Sequence, residues 1–298
     1  MKRYFLIIVM LILIGGECQK QASFVRNPNL EIFLSDSLSS SPSNYYSPVW
    51  APSGDKIYCI ARKDEGLVYR HMLISIHLPN KEISVIVEDS VMKFTLSHSG
   101  NEIAYVKLHT DTLIKEKIVF IDAITGEVKN VFFPNSPYIV DLKYTHDDKF
   151  LIFLTKGDTS VSGFYSLNLS TWKDTLILKI PLSKDYFGSF TLHPQNDSII
   201  MGDSENMWYP QFHPTNFSLL GTVKNIYFYD LNEDEEIFLL DLSTNERKAL
   251  NAKPYYYTDI QRISFSPDGS KIIFSAAKPF YFEGPHFECQ ELWILNLK

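Results

Sequence analysis

The sequence predicts an all-β fold made from one four-stranded unit repeated along the chain. Three observations carry that expectation. Aromatic residues, which favour strands, are unusually frequent: 21 Phe, 17 Tyr and 4 Trp in 298 residues, or 14% of the chain. Apolar runs of strand length follow one another with turn residues between them, and no clear amphipathic helix interrupts them. One turn motif also recurs along the chain, and such self-similarity is the signature of repeat architectures.

Five segments carry the motif. They are Trp50-Ala51-Pro52-Ser53-Gly54-Asp55-Lys56-Ile57-Tyr58, Leu96-Ser97-His98-Ser99-Gly100-Asn101-Glu102-Ile103-Ala104, Tyr144-Thr145-His146-Asp147-Asp148-Lys149-Phe150-Leu151-Ile152, Leu192-His193-Pro194-Gln195-Asn196-Asp197-Ser198-Ile199-Ile200 and Phe265-Ser266-Pro267-Asp268-Gly269-Ser270-Lys271-Ile272-Ile273. Each has a large apolar residue, a polar turn and an apolar strand. The fifth position is Gly54, Gly100, Asp148, Asn196 or Gly269. Those residue types tolerate positive φ, as a tight turn between two strands requires. The intervals are 46, 48, 48 and 73 residues. The first three match one four-stranded propeller blade, roughly 40–50 residues.

A further apolar run follows each hairpin: residues 72–78, 117–123, 164–169, 237–242 and 292–297. Several lead into a turn and a fourth strand, as at Asp122-Ala123-Ile124-Thr125-Gly126-Glu127-Val128. Four strands per repeat make a single β-propeller the expected architecture. The 73-residue interval leaves two readings of residues 203–234: an insertion in the fourth blade, or a sixth blade built irregularly. The domain reading takes the first: 1–17 signal, 18–44 tether and closing strand, 45–298 propeller with an insertion at about 203–234. The last repeat ends after its third strand, so its fourth must come from elsewhere or leave a bare edge. The apolar run Leu30-Glu31-Ile32-Phe33-Leu34 is the candidate closing strand.

The motif, clearest at Phe265-Ser266-Pro267-Asp268-Gly269-Ser270-Lys271-Ile272-Ile273-Phe274, resembles the WD40-like (PD40) repeat of TolB-type propellers. The resemblance covers most of the chain from about residue 45 onward, with the fifth copy the strongest and the middle three degenerate. It implies a ring that is usually six-bladed, while five hairpins are clear. The α/β domain that precedes the propeller in TolB has no room here.

The amino terminus reads as an address. Lys2 and Arg3 precede an apolar run over residues 4–14, then Gly15, Gly16, Glu17 and Cys18. A charged start, a short apolar core and small residues describe an export signal, and the run is too short for a spanning helix of about 20 residues. The Cys after small residues resembles the lipobox of bacterial lipoproteins, which implies Cys18 as the lipidated residue; Glu17 stands where that family has Gly, Ala or Ser. A plain secretory signal is the alternative. Ser37, Ser39, Ser40, Ser41 and Ser43, with Pro42, read as a flexible stretch. The implied location is the bacterial cell envelope, with membrane contact through the anchor alone.

Formal net charge is −7 and no basic cluster is evident, which argues against nucleic acid. No nucleophile elbow, phosphate-binding glycine loop or zinc-binding His pair occurs, so no catalytic residue, metal site or cofactor is assigned. Asp230, Asn232, Asp234 and Asp241 have calcium-loop spacing, but Glu235 replaces the turn glycine and the twelfth ligand is not Glu. Cys59 and Cys289 fall in the first and last blades; they read as buried thiols, with a disulfide the alternative.

Three aromatic clusters with prolines are the candidate binding surface: Trp208, Tyr209 and Phe212; Tyr255, Tyr256 and Tyr257; and Phe280, Tyr281 and Phe282 with His286. Such rings suit a protein or peptide hot spot or sugar stacking. They equally suit burial against the insertion. The expected function is a monomeric protein- or peptide-binding scaffold. A carbohydrate-binding or lyase-like propeller is the alternative.

Overall fold

A computed structural model of the chain describes residues 27–34, 44–65, 68–88, 90–107, 116–135, 138–156, 162–180, 189–201, 208–214, 219–226, 233–241, 244, 246–252, 254, 260–277 and 290–297. Every helix or strand among them is a strand. They begin with β1 (Leu30–Leu34), followed by a sheet of β2 (Asn44–Trp50), β3 (Lys56–Glu65), β4 (Val68–His77) and β5 (Glu82–Val87). The next sheet holds β6 (Val91–Leu96), β7 (Glu102–Lys107), β8 (Lys117–Asp122) and β9 (Val128–Phe132). The third holds β10 (Tyr138–Tyr144), β11 (Phe150–Lys156), β12 (Gly163–Asn168) and β13 (Lys173–Lys179). A two-stranded sheet follows, β14 (Phe190–Leu192) with β15 (Ile199–Met201). Then come β16 (Trp208–Phe212), β17 (Leu219–Ile226), β18 (Glu233–Asp241) and β19 (Glu246–Ala249). The last sheet combines β20 (Ile260–Phe265), β21 (Lys271–Ala277) and β22 (Gln290–Asn296) with β1. Neighbouring strands within every sheet are antiparallel. This is the all-β propeller of four-stranded blades that the repeats predict.

Strand periodicity explains how the sheets stack. Side chains alternate between faces, and the middle strands are apolar on both. On β3, Ile57, Cys59 and Ala61 enter one core and Tyr58 and Ile60 the next. Likewise Ile103 and Tyr105 of β7 face one neighbour, Ala104 and Val106 the other. Leu151 and Phe153 of β11 face back while Ile152 and Leu154 face forward. An apolar core therefore fills each gap between consecutive sheets. Among the described residues, the core between β14–β15 and the next sheet has Phe238 and Leu240 as its buried members, with Ile200 and Phe212 packed against them.

The expected closing strand forms. β1 pairs antiparallel with β22, Leu30 opposite Leu295 and Ile32 opposite Trp293. Phe33 and Leu34 enter the core that joins the last sheet to the first, beside Tyr45, Ile57, Ile74 and Leu292. Cys59 lies in the same core as a free thiol, and burial pushes its ionisation far up; Cys289 lies outside the described residues.

The turns between first and second strands interlock around the ring. Gly54 and Gly100 adopt φ of 76° and 75°. A side chain on Gly54 would meet the Pro267 ring, and one on Gly100 would come within 3.2 Å of Pro52. In these two turns the fifth position packs on the third position of the turn before. Where the third position is His98 or His146, the next turn places an Asp against it. The Asp148 carboxylate accepts from the backbone amides of His98 at 2.7 Å and Ser99 at 2.8 Å. Asp197 accepts from the His146 amide at 2.9 Å and meets its Nδ1 at 2.7 Å. This corrects one position: the left-handed residue of the fourth turn is Asp197, φ 56°, one residue after Asn196.

Within 203–234 the described residues form strands of one sheet. They supply β16, β17 and the start of β18. The reason is a sixth turn, Phe212-His213-Pro214, 20 residues after Leu192 and 53 before Phe265. Phe212 pairs with Leu219 across it. Among the described residues the long interval holds one two-stranded hairpin, followed by a complete sheet.

Two outcomes are expected. Leu34 is 2% exposed and Ile32 41%. In urea titrations Leu34→Ala should lose about 2–5 kcal/mol of stability, and Ile32→Ala less than half of that. At the turns, Asp148→Gly and His98→Pro should each destabilise, while the double variant loses less than their sum by about 0.5–2 kcal/mol, because it restores the Pro–Gly pairing.

Candidate functional site

The first strands of the sheets, β2, β6, β10, β14, β16 and β20, are neighbours in that order and surround the central channel. A cavity of about 220 Å³ lies there, with lining residues from all six. Aligning the repeats on the apolar residue that opens each turn gives two tiers of residues along these strands. Three residues earlier stand Ser47, Lys93, Asp141, Ser189, Tyr209 and Arg262; one residue earlier stand Val49, Thr95, Lys143, Thr191, Gln211 and Ser264. The first tier is polar in every repeat. Strand register shifts at this level in β2, β6, β10, β16 and β20. Ser47 and Arg262 take left-handed φ of 52° and 49°. Such bulges re-aim side chains where a regular pleat would not.

Asp141 is the centre of the first tier and fully buried. Its Oδ1 accepts from the Leu142 amide at 3.0 Å and from Arg262 Nη1 at 3.2 Å. Its Oδ2 accepts from the Phe190 amide at 3.3 Å and lies 4.0 Å from Lys143 Nζ. One carboxylate therefore ties β10 to β14 and to β20. Lys93 Nζ donates to the Val140 carbonyl, bringing in β6. Glu116 accepts from the Ile139 amide behind the same strand.

Burial alone would raise the Asp141 ionisation; the charges of Lys143, Arg262 and Lys93, with the Leu142 amide, reverse that and hold it at about 2. Lys93 is lowered to about 8, chiefly by burial and then by Arg262. Burial also lowers Lys143, with Asp141 opposing, and raises Glu116. The cavity wall carries the ammonium of Lys143 and the guanidinium of Arg262, with His98 at the turn end. Among the described residues no carboxylate lines it.

The sequence-predicted surface falls elsewhere. Trp208 and Tyr209 lie on β16, a first strand. Phe212 is half-buried, its ring edge-on to His193 at 5.0 Å and packed on Phe238 and Leu240. Tyr255, Tyr256, Tyr257, Phe280, Tyr281, Phe282, His286 and Cys18 lie outside the described residues. So do Asp230 and Asn232, while Asp234 and Asp241 sit on β18, paired with Asn225 and Glu246, in a strand and not a calcium-loop curl. Among the described residues no three His, Cys, Asp or Glu side chains converge as metal ligands. The channel charges were missed because they sit one or two to a strand among apolar residues; reading one position across the aligned repeats is the signal that finds them.

No family model and no curated protein matches the chain. Solved structures do. The β-propeller domain of Cps50 (Swd1) from Myceliophteria thermophila superposes with a TM-score of 0.54 at 8% identity, covering 89% of this chain and 99% of that one. TolB from Acinetobacter baumannii gives 0.43 at 14% identity over 87% of this chain, which spans only 56% of that protein. The β-propeller domain of the trilobed protease from Pyrococcus furiosus, described as having an open velcro topology, gives 0.41 at 14% identity, covering 85% of this chain and 69% of that one. The first of these likenesses and the sheets themselves agree on the fold, a β-propeller.

Asp141 generates the test for this site. Asp141→Asn should destabilise by about 3–5 kcal/mol at neutral pH, because Arg262 and Lys143 lose their buried counter-charge. The carboxylate ionises at about 2 in the folded chain, below its unfolded value of about 3.9. Its stabilisation is therefore complete above pH 4 and lost as pH falls toward 2. Urea midpoints of parent and variant should converge over that window.

Proposed function

We propose that the chain is an exported, lipid-anchored, TolB-like propeller of six blades, the fourth shortened to a hairpin, and that it serves as a protein- or peptide-binding scaffold of the bacterial cell envelope. The address reading rests on Lys2, Arg3, the apolar run after them and Cys18. The six-blade reading rests on the six first strands around the channel.

The observation that supports binding lies on β13. Leu176, Ile177 and Leu178 are 40%, 50% and 51% exposed, three consecutive apolar side chains on an outermost strand. The following sheet, β14–β15, has no third or fourth strand among the described residues. An outer strand with apolar side chains on both faces and an unpaired backbone edge is the kind of surface a partner strand extends. The aromatic clusters around Trp208, Tyr256 and Tyr281 are the second surface offered to a partner.

Capture from solubilised envelopes by the tagged full chain tests this. A stoichiometric protein partner should be retained by the parent and lost with Leu176→Lys, Leu178→Lys. Loss with Trp208→Ala, Tyr256→Ala, Tyr281→Ala would move the contact to the aromatic surface. Recovery of no partner above background, with specific retention on a glycan panel, would replace the scaffold reading with the carbohydrate one.

A further inference from the structure

We infer that the channel cavity is a binding site for a small oxyanion, a carboxylate or phosphate group held between Lys143, Arg262 and Ser189. The wall supplies the first reason. Its formal charges are cationic, and the one carboxylate nearby, Asp141, already accepts from Arg262 and two backbone amides. Lys143 Nζ stands 4.0 Å from that carboxylate, beyond hydrogen-bond reach, so its three donors have no acceptor at bonding distance among the described residues. A half-buried ammonium that shares its one counter-charge with Arg262 gains from a second anion at bonding distance.

Ser189 supplies the second and independent reason. It occupies the first tier on the approach to β14, is 8% exposed, lines the cavity, and its Oγ makes no hydrogen bond. Buried hydroxyls without partners are rare, and this one borders a space large enough for a ligand. An oxyanion accepts two or more bonds at once, so one group placed there would satisfy both Ser189 and Lys143 with charge-assisted bonds. The Arg262 guanidinium gives the same group a planar donor set. Thr191 and Ser264 of the second tier add hydroxyls to the wall. Lys93 and Glu116 do not line the cavity; their polar ends bond the Val140 carbonyl and the Ile139 amide.

This inference stands apart from the β13 surface, and its test needs no partner protein. Isothermal titration of the purified full chain with succinate, inorganic phosphate and, as a cationic control, putrescine reads it directly. Saturable binding of succinate or phosphate is expected, with none of putrescine. Ser189→Ala removes one hydroxyl from a cavity wall and should weaken the anion roughly 10-fold or more. Lys143→Gln should weaken it at least as much, and an unchanged urea midpoint in either variant separates lost binding from lost folding. Binding of succinate alone marks a carboxylate ligand, and binding of phosphate alone a phosphoryl ligand; both support the site. Displacement of a captured partner by the same anion would show that the acidic group belongs to that partner. Absence of saturable heat for both anions overturns the inference, as does equal affinity in the parent and both variants.

Discussion

A sheet that is apolar on both faces needs a neighbour on each side, and a row of such sheets can stop only by closing on itself. That constraint organises this chain. The middle strands β3, β7, β11 and β21 carry alternating apolar side chains that enter two different cores. The last sheet is made whole only by β1, so a five-residue strand near the start of the chain completes both a hydrogen-bonded ladder and the core between last and first sheets. The interlocked turns follow from the same closure, since each turn can rest on the one before it only when the sheets stand at fixed angles.

Closure also creates the channel, and the channel forces an unusual chemistry on the first strands. Polar residues stand at the first-tier position of every aligned repeat. Asp141 is the buried carboxylate that makes this tolerable, taking amides from its own strand and from β14 and a guanidinium from β20. Buried ion pairs seldom add net stability, but once built they are expensive to break. The cluster therefore fixes the relation of three first strands more than it strengthens any one of them.

Much of the fold was legible because propeller turns are local. Gly54, Gly100, Asp148 and Gly269 announce left-handed positions within a few residues, and the strands flanking them need no long-range information. The closing strand was legible too, from an apolar run with no other role and a last sheet short of a strand. What escaped had physical reasons. The fourth turn moved its left-handed residue from Asn196 to Asp197 because the carboxylate at 197 reaches back to His146. The shortened hairpin broke the interval on which the repeat count depended, so Phe212-His213-Pro214 passed for part of an insertion. The candidate site escaped because its members come from four repeats: Asp141 and Lys143 share a strand, but Arg262, Ser189 and Lys93 meet them only through the ring.

The pairing of β1 with β22 has a consequence for how the chain is made. β1 precedes the other described strands in synthesis, and its partner β22 follows them. Until residues 290–296 emerge, Leu30, Phe33 and Leu34 have neither their ladder nor their core, while the sheets between them can already stack in sequence. Assembly can thus run along the chain sheet by sheet, with local hairpins forming early, but the final step joins segments more than 250 residues apart and carries a large loop-closure cost. An unfinished chain exposes an apolar strand edge for the whole of that interval, which makes it a natural substrate for chaperones that hold unpaired strands.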